Sequence, residues 1–228
     1  MEIKLLQTGP LGVNTLIVPL VNGKVFVVDP ASCAFSDDET AVSRYLAQEQ
    51  LDPVAIVLTH GHFDHVSGLP FLSKTYPNIQ IVIHREDAEM IGAASERLQG
   101  SMLSQMGFSV FLPSVTDLPA PTGFLEAEKT LADCIQTEDE AVKNALSCWK
   151  VFHTPGHSRG SCCLYNETEK LLISGDTLFY QSWGRTDLYG GSESQIQASL
   201  RGLVKKVPSD TRVYPGHDYS GFPFTELF

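Results

Sequence analysis

The sequence predicts an α/β fold in which two mixed β-sheets pack face to face with helices on their outer sides. Three observations lead there. Short β-branched and apolar runs fall into two groups, each followed by segments of helical spacing. Residues 54–58 are wholly apolar, as in a strand covered on both faces. Residues able to bind metal recur just after strands, most of them behind a glycine, which suits a rigid scaffold presenting loops at one sheet edge.

In chain order, residues 3–7, 14–20 and 24–28 read as strands, with Asn22-Gly23 as a hairpin turn. Ser36 and Glu39 have capping-box spacing, and residues 41–50 continue with helical periodicity until Asp52-Pro53. After the strand at 54–58 come a helix near 65–75, a strand at 79–83 and mostly helix over 86–105. Residues 107–147 carry Pro113, Pro119, Pro121 and an acidic run at 138–140, and are expected to form a loop-and-hairpin excursion over the site. The second group has strands at 148–152, 161–165 and 170–174. A helix at 192–206 with Ile196, Leu200 and Leu203 on one face follows, then a strand at 211–214. One domain over residues 1–228, with 90–147 as a loop and helix excursion near the active site, accounts for the length.

Composition narrows the function. Apolar residues make up 43% of the chain and charged residues 19%, which supports a packed core and excludes disorder. The net charge of −11 argues against nucleic acid and anionic membrane surfaces as partners. Bound divalent cations would offset part of that charge. No run approaches the ~18 apolar residues of a membrane span, and the first residues lack the pattern of a signal peptide. Five cysteines without framework spacing read as reduced thiols, so a cytoplasmic protein is expected, as monomer or homodimer.

The chemistry concentrates in Thr59-His60-Gly61-His62-Phe63-Asp64-His65, directly after the buried strand. His60 and His62 are two apart, so extended backbone projects them to one side. Asp64 and His65 sit where the chain turns into a helix and can be aimed at a second point. Imidazole and carboxylate without cysteine suit an open zinc, iron or manganese site better than a closed structural zinc. His157, Asp176 and His217 each close a later strand behind a glycine. His84 and His153 do not share that pattern and read as structural.

These motifs, with Asp29 in Val27-Val28-Asp29-Pro30, resemble the metallo-β-lactamase superfamily over essentially the whole chain. The resemblance implies an αββα sandwich with the site at one edge. It implies two divalent metal ions, zinc first, with iron or manganese as alternatives. His60, His62 and His157 would hold one ion, Asp64, His65 and His217 the other, and Asp176 would bridge them. Asp29 would orient a ligand histidine through its other ring nitrogen, the alternative being an ordinary strand-end aspartate.

Asp176 stands where the best-known zinc β-lactamases carry cysteine, which points away from β-lactams. Gly184-Arg185-Thr186-Asp187-Leu188, then Gly190-Gly191, is similar to glyoxalase II-like thioesterases and to persulfide dioxygenases. The resemblance thus implies a cytoplasmic glyoxalase II-like hydrolase acting on a small-molecule thioester, an S-acyl-glutathione-type substrate, through a metal-held hydroxide. Eleven residues follow His217, so the helical domain that serves glutathione in full-length glyoxalase II is expected to be missing. Asp64 would assist proton movement, Arg185 would meet a substrate carboxylate or else pair with Asp187, and Tyr219 would line the pocket. The alternative is a persulfide dioxygenase with one iron on His60, His157 and Asp176, acting on glutathione persulfide.

Overall fold

In the computed structural model, which describes residues 1–226, the chain opens with an antiparallel meander of β1 (Lys4–Thr8), β2 (Val13–Pro19) and β3 (Lys24–Val28). Asn22 and Gly23 carry φ of 52° and 74°, the paired left-handed residues of a two-residue hairpin turn. Helix α1 (Ala41–Gln48) leads to β4 (Asp52–Val57), which pairs parallel with β3. Two short helices, α2 (Phe63–Val66) and α3 (Leu69–Thr75), precede β5 (Gln80–His84). After α4 (Ser95–Gln105), strand β6 (Gly123–Leu125) closes the first sheet, ordered β1 to β6 in sequence.

Helices α5 (Leu131–Cys134) and α6 (Glu140–Ser147) lead into the second sheet. It begins with β7 (Trp149–His153), β8 (Cys162–Asn166) and β9 (Leu171–Gly175). A small hairpin of β10 (Leu178–Phe179) and β11 (Ser182–Trp183) follows, then α7 (Glu193–Lys206), β12 (Arg212–Pro215) and β13 (Phe222–Pro223). The second sheet runs β13-β12-β9-β8-β7, with β12 parallel to β9.

Side-chain alternation assembles the layers. Leu16, Val18, Phe26 and Val28 face Trp149, Val151, Leu164 and Ile173 across the gap between the sheets. Ile17, Val27 and Ile56 point the other way, onto Val42 and Leu46 of α1 and Leu69 and Leu72 of α3. Phe152, Cys163 and Leu172 on the far side of the second sheet are covered by Ile196, Leu200 and Leu203 of α7. The result is an αββα sandwich. Its centre holds Phe26 edge-on to Trp149, with ring centroids 5.4 Å apart. Losing an aromatic side chain from such a core costs about 3–5 kcal/mol.

Several local expectations are corrected. The helix expected near 65–75 is two helices, because Ser67-Gly68 passes against the loop after β3 and Pro70 starts a new helix. The stretch 86–105 is mostly helical as expected, as a 3-10 segment, Arg85–Met90, and α4, parted at Gly92 (φ 81°). No Ser36–Glu39 capping box forms, since the Ser36 hydroxyl lies 2.6 Å from Asp38 and the helix starts only at Ala41. The hairpin expected within 107–147 is replaced by a strand of the first sheet and two helices. Its acidic run is a helix start, where the Asp139 carboxylate accepts from the Ala141 and Val142 amides beside the positive helix end. Among the described residues, no helix is long and apolar enough to cross a membrane.

Candidate metal centre

The seven expected ligands come from four connecting segments at one edge of the sandwich, and the structure brings them together. His60 and His62 follow β4, and Asp64 and His65 lie in the single turn of α2. His157 follows β7, Asp176 follows β9 and His217 follows β12. Six of them are buried. The His217 loop is held from the far end of the chain. Asn14 of β2 donates through its side-chain amide to Pro215 O, Asp218 O and Ser220 Oγ at 3.0–3.1 Å, and its backbone N–H donates to Gly216 O at 2.7 Å.

Donor atoms converge on two points. His62 Nδ1 lies 2.8 Å from His157 Nε2, which lies 3.2 Å from His60 Nε2. His217 Nε2 lies 3.2 Å from His65 Nε2 and 3.3 Å from Asp64 Oδ2. Asp176 sits between the trios, with Oδ1 3.4 Å from His65 Nε2 and Oδ2 3.5 Å from His157 Nε2. Tetrahedral zinc with bonds of about 2.0–2.2 Å separates its donors by roughly 3.3–3.6 Å, and these distances straddle that range. Asp176 Oδ1 is buried without a hydrogen-bond partner, and ring nitrogens face ring nitrogens. Such a donor set fits two cations. A third grouping, Asp29 with His60 and His65, is geometrically close, but Asp29 is already committed elsewhere.

Asp29 ends β3 in the left-handed region at φ 47°, which aspartate tolerates through local hydrogen bonds. Its Oδ1 accepts from the Thr59 amide at 2.8 Å, and its Oδ2 accepts from Thr59 Oγ1 at 2.6 Å and from His65 Nδ1 at 2.9 Å. It thereby fixes the His65 ring with Nε2 toward the second trio. His157 Nδ1 donates to the Arg185 carbonyl at 2.8 Å, and His60 Nδ1 lies 3.1 Å from Thr59 Oγ1.

The electrostatics differ between the trios. Burial first, then the neighbouring rings, pushes His60 well below its ordinary value and His62 down to about 3, leaving both neutral as ligands must be. Burial would also lower His65, but the Asp176, Asp64 and Asp29 carboxylates outweigh it and hold the ring well above its ordinary value. Burial would raise Asp64 and Asp176, but the adjoining imidazoles keep both below the usual carboxylate range. The second trio and its bridge therefore favour added positive charge.

Glycine next to a ligand has a steric reason here. A Cβ on Gly216 would sit 2.2 Å from Asp176 Oδ1 and 2.7 Å from His65 Cε1, and one on Gly61 would strike Met90 at 2.5 Å. Sequence reasoning missed two buried residues that hold the same loops. Asp87 accepts from the Gly61 amide (3.0 Å), Ser158 Oγ (2.6 Å) and the Gly160 amide (2.7 Å), tying the His60–His62 turn to the His157 loop. Gln99 of α4 donates to Gly61 O at 2.7 Å and Met90 O at 2.9 Å. Asp87 shares one legible trait with Asp29, an acid shortly after a strand at the metal edge.

The remaining candidates divide. Arg185 lines the cavity above the ligand cluster, but its guanidinium forms a two-pronged pair with Asp187 at 2.7 and 2.8 Å and draws Asp187 down to about 2. Tyr219 is 60% exposed, packs on Tyr180 and Phe222, and is not among the cavity's lining residues, so the pocket position expected for it is corrected. Its ring follows Asp218, whose left-handed backbone (φ 60°) turns the chain away after His217. His84 and His153 stack face to face at 4.0 Å outside the cluster. The cavity, of about 150 Å³, exposes His62, Asp64, His157, Asp176 and His217 at its floor.

Comparison with known proteins agrees with this geometry. The profile of the metallo-beta-lactamase superfamily matches residues 8–217. A Bacillus subtilis protein named probable metallo-hydrolase YqgX is 27% identical, over 95% of this chain and 90% of its own length. A hydroxyacylglutathione hydrolase of Pelagibacter ubique is 26% identical, over 96% of this chain and 72% of its own. Among solved structures, the BLEG-1 B3 metallo-beta-lactamase superposes with a TM-score of 0.80 at 30% identity, covering 99% and 95% of the two chains. TTHA1623 in a di-iron-bound form gives 0.76 at 27% identity, covering 97% and 95%.

Proposed function

The chain belongs to the metallo-beta-lactamase superfamily, and from its site we propose a metal-dependent thioester hydrolase acting on S-acyl-glutathione-type substrates. The observation that carries the reading is the pair of donor trios meeting at Asp176 on the floor of an open cavity. His60, His62 and His157 would hold one ion, and Asp64, His65 and His217 the other, with Asp176 shared. Zinc suits this set, and iron or manganese does too. Two such ions supply Lewis-acid polarisation of a carbonyl and a water acidified to a pKa of about 7.

The chain's own groups set the rest. Asp29, Thr59 and the Arg185 carbonyl hold the His65, His60 and His157 rings with their other nitrogens toward the cluster, so little reorganisation would be left for the reaction. Asp64 lines the cavity with its carboxyl held below the usual range, and would assist proton movement within the limits that holding an ion sets. A thiolate leaves without a strong acid. The relatives named metallo-hydrolase and hydroxyacylglutathione hydrolase support hydrolysis and a thioester in turn.

The test is metal analysis of the purified protein alongside assays on S-acyl-glutathione. Two metals per chain and turnover abolished by His60→Ala are expected. About one iron per chain, with O₂ uptake on glutathione persulfide and no thioester turnover, would replace the reading with the dioxygenase. Cephalosporin hydrolysis without thioester turnover would move it to the activity named for the structure at 30% identity.

A further inference from the structure

The cavity wall differs from what a peptide thiol needs. Above the ligands it is built from Leu11, Phe63, Met102, Met106, Phe108 and Leu188. Arg185 is the one lysine or arginine among the lining residues, and Asp187 already occupies its fork. Glutathione carries two carboxylates and an ammonium. Burying them against this wall would strand charges without partners, on a chain whose net charge is −11. The volume of about 150 Å³ also matches a benzene-sized apolar group rather than a tripeptide.

We propose that this cavity is an acyl pocket, and that the enzyme selects thioesters by an apolar acyl group of about four to eight carbons while the thiol portion stays at the solvent side. The proposal rests on the thioester reading given above. A large polar thiol cannot enter, so the group on the carbonyl side fills the space beside the metals. Met102 in the last turn of α4 and Met106 at its C-cap stand one turn apart, and their flexible thioethers adapt to acyl groups of different shape. Gln99, one turn earlier, ties that helix to the Gly61 carbonyl, so the pocket wall is referenced to the metal loop. A lactoyl group, short and hydroxylated, would gain little apolar contact and would bring a hydroxyl against carbon.

Matched thioesters test this. Lactoyl, acetyl, butyryl and hexanoyl groups are each carried on glutathione and on N-acetylcysteamine, with metal-replete protein. From acetyl to hexanoyl, kcat/KM is expected to rise up to about fourfold per methylene. Exchanging the thiol should change it far less than the acyl series does. Met106→Trp, which fills the pocket, should lower the hexanoyl-to-acetyl ratio by about tenfold, on the scale of two lost methylene contacts. Preference for lactoyl over butyryl, a flat chain-length series, or a loss of more than tenfold on leaving glutathione would overturn the acyl pocket while leaving the thioesterase standing. No turnover of any thioester would remove the thioesterase reading, and this inference with it.

Discussion

At the base of the cavity, and just beneath its floor, the rings of His157, His60 and His65 each have a second nitrogen facing a fixed partner, and the loops that carry the cluster are tied by Asp87 and Gln99. On the wall, Leu11, Met102, Met106 and Phe108 are apolar, and Leu11 and Phe108 are exposed. The floor is specified by directional bonds with little tolerance. The wall is specified by area and volume, which many side chains can supply. Metal chemistry is therefore expected to fail sharply with small changes below, and substrate preference to drift gradually with changes above.

The harshest way to break the floor adds a single methyl. Gly216→Ala forces Asp176 or His65 to move, and kcat/KM on a thioester is expected to fall by about 10²-fold or more, with fewer than two metals retained per chain. Normal metal content and near-normal rates would show that the floor has more slack than its contacts imply. Asp87→Asn tests the tether between loops without emptying its space. One backbone N–H must then face an amide N–H₂, and metal affinity measured by chelator competition should weaken by about 10- to 100-fold. Unchanged affinity in a variant of unchanged Tm would rule out a positioning role. The mildest change belongs to the wall. Phe108→Ala should keep both metals and lower hexanoyl kcat/KM by about fourfold, the worth of one methylene contact. A loss of metal there would join the two regions that the comparison separates.

The same contrast explains what was legible in the sequence. His60, His62, Asp64 and His65 could be read because local backbone geometry aims neighbouring side chains, and a buried strand before them set the edge. His157, Asp176 and His217 could be read from repetition of that strand-glycine-ligand arrangement. Asp87 offered only its place shortly after a strand and Gln99 no signal at all, since their partners are backbone groups and side chains 9 to 73 residues away. His84 and His153 show that proximity of imidazoles is not enough. They lie as close as any pair in the site, but the rings stack and no carboxylate stands between them. In the fold, the two sheets followed from two groups of short β-branched and apolar runs, each followed by helical spacing. The region after residue 107 did not, because its prolines and acids were read as loop composition when Asp139 in fact starts a helix.

The grip of Asn14 on the His217 loop has a consequence for the order in which the site is made. The donors of the first trio all lie within the first 157 residues, but the second trio waits for residue 217, and that loop is positioned by contacts spanning 201 to 206 residues of sequence. Contacts so distant along the chain close late in folding. During synthesis the second trio cannot be complete before residue 217 has been made, whereas every donor of the first is present by residue 157. Completion of the second trio then reports that the first strands and the last have found each other.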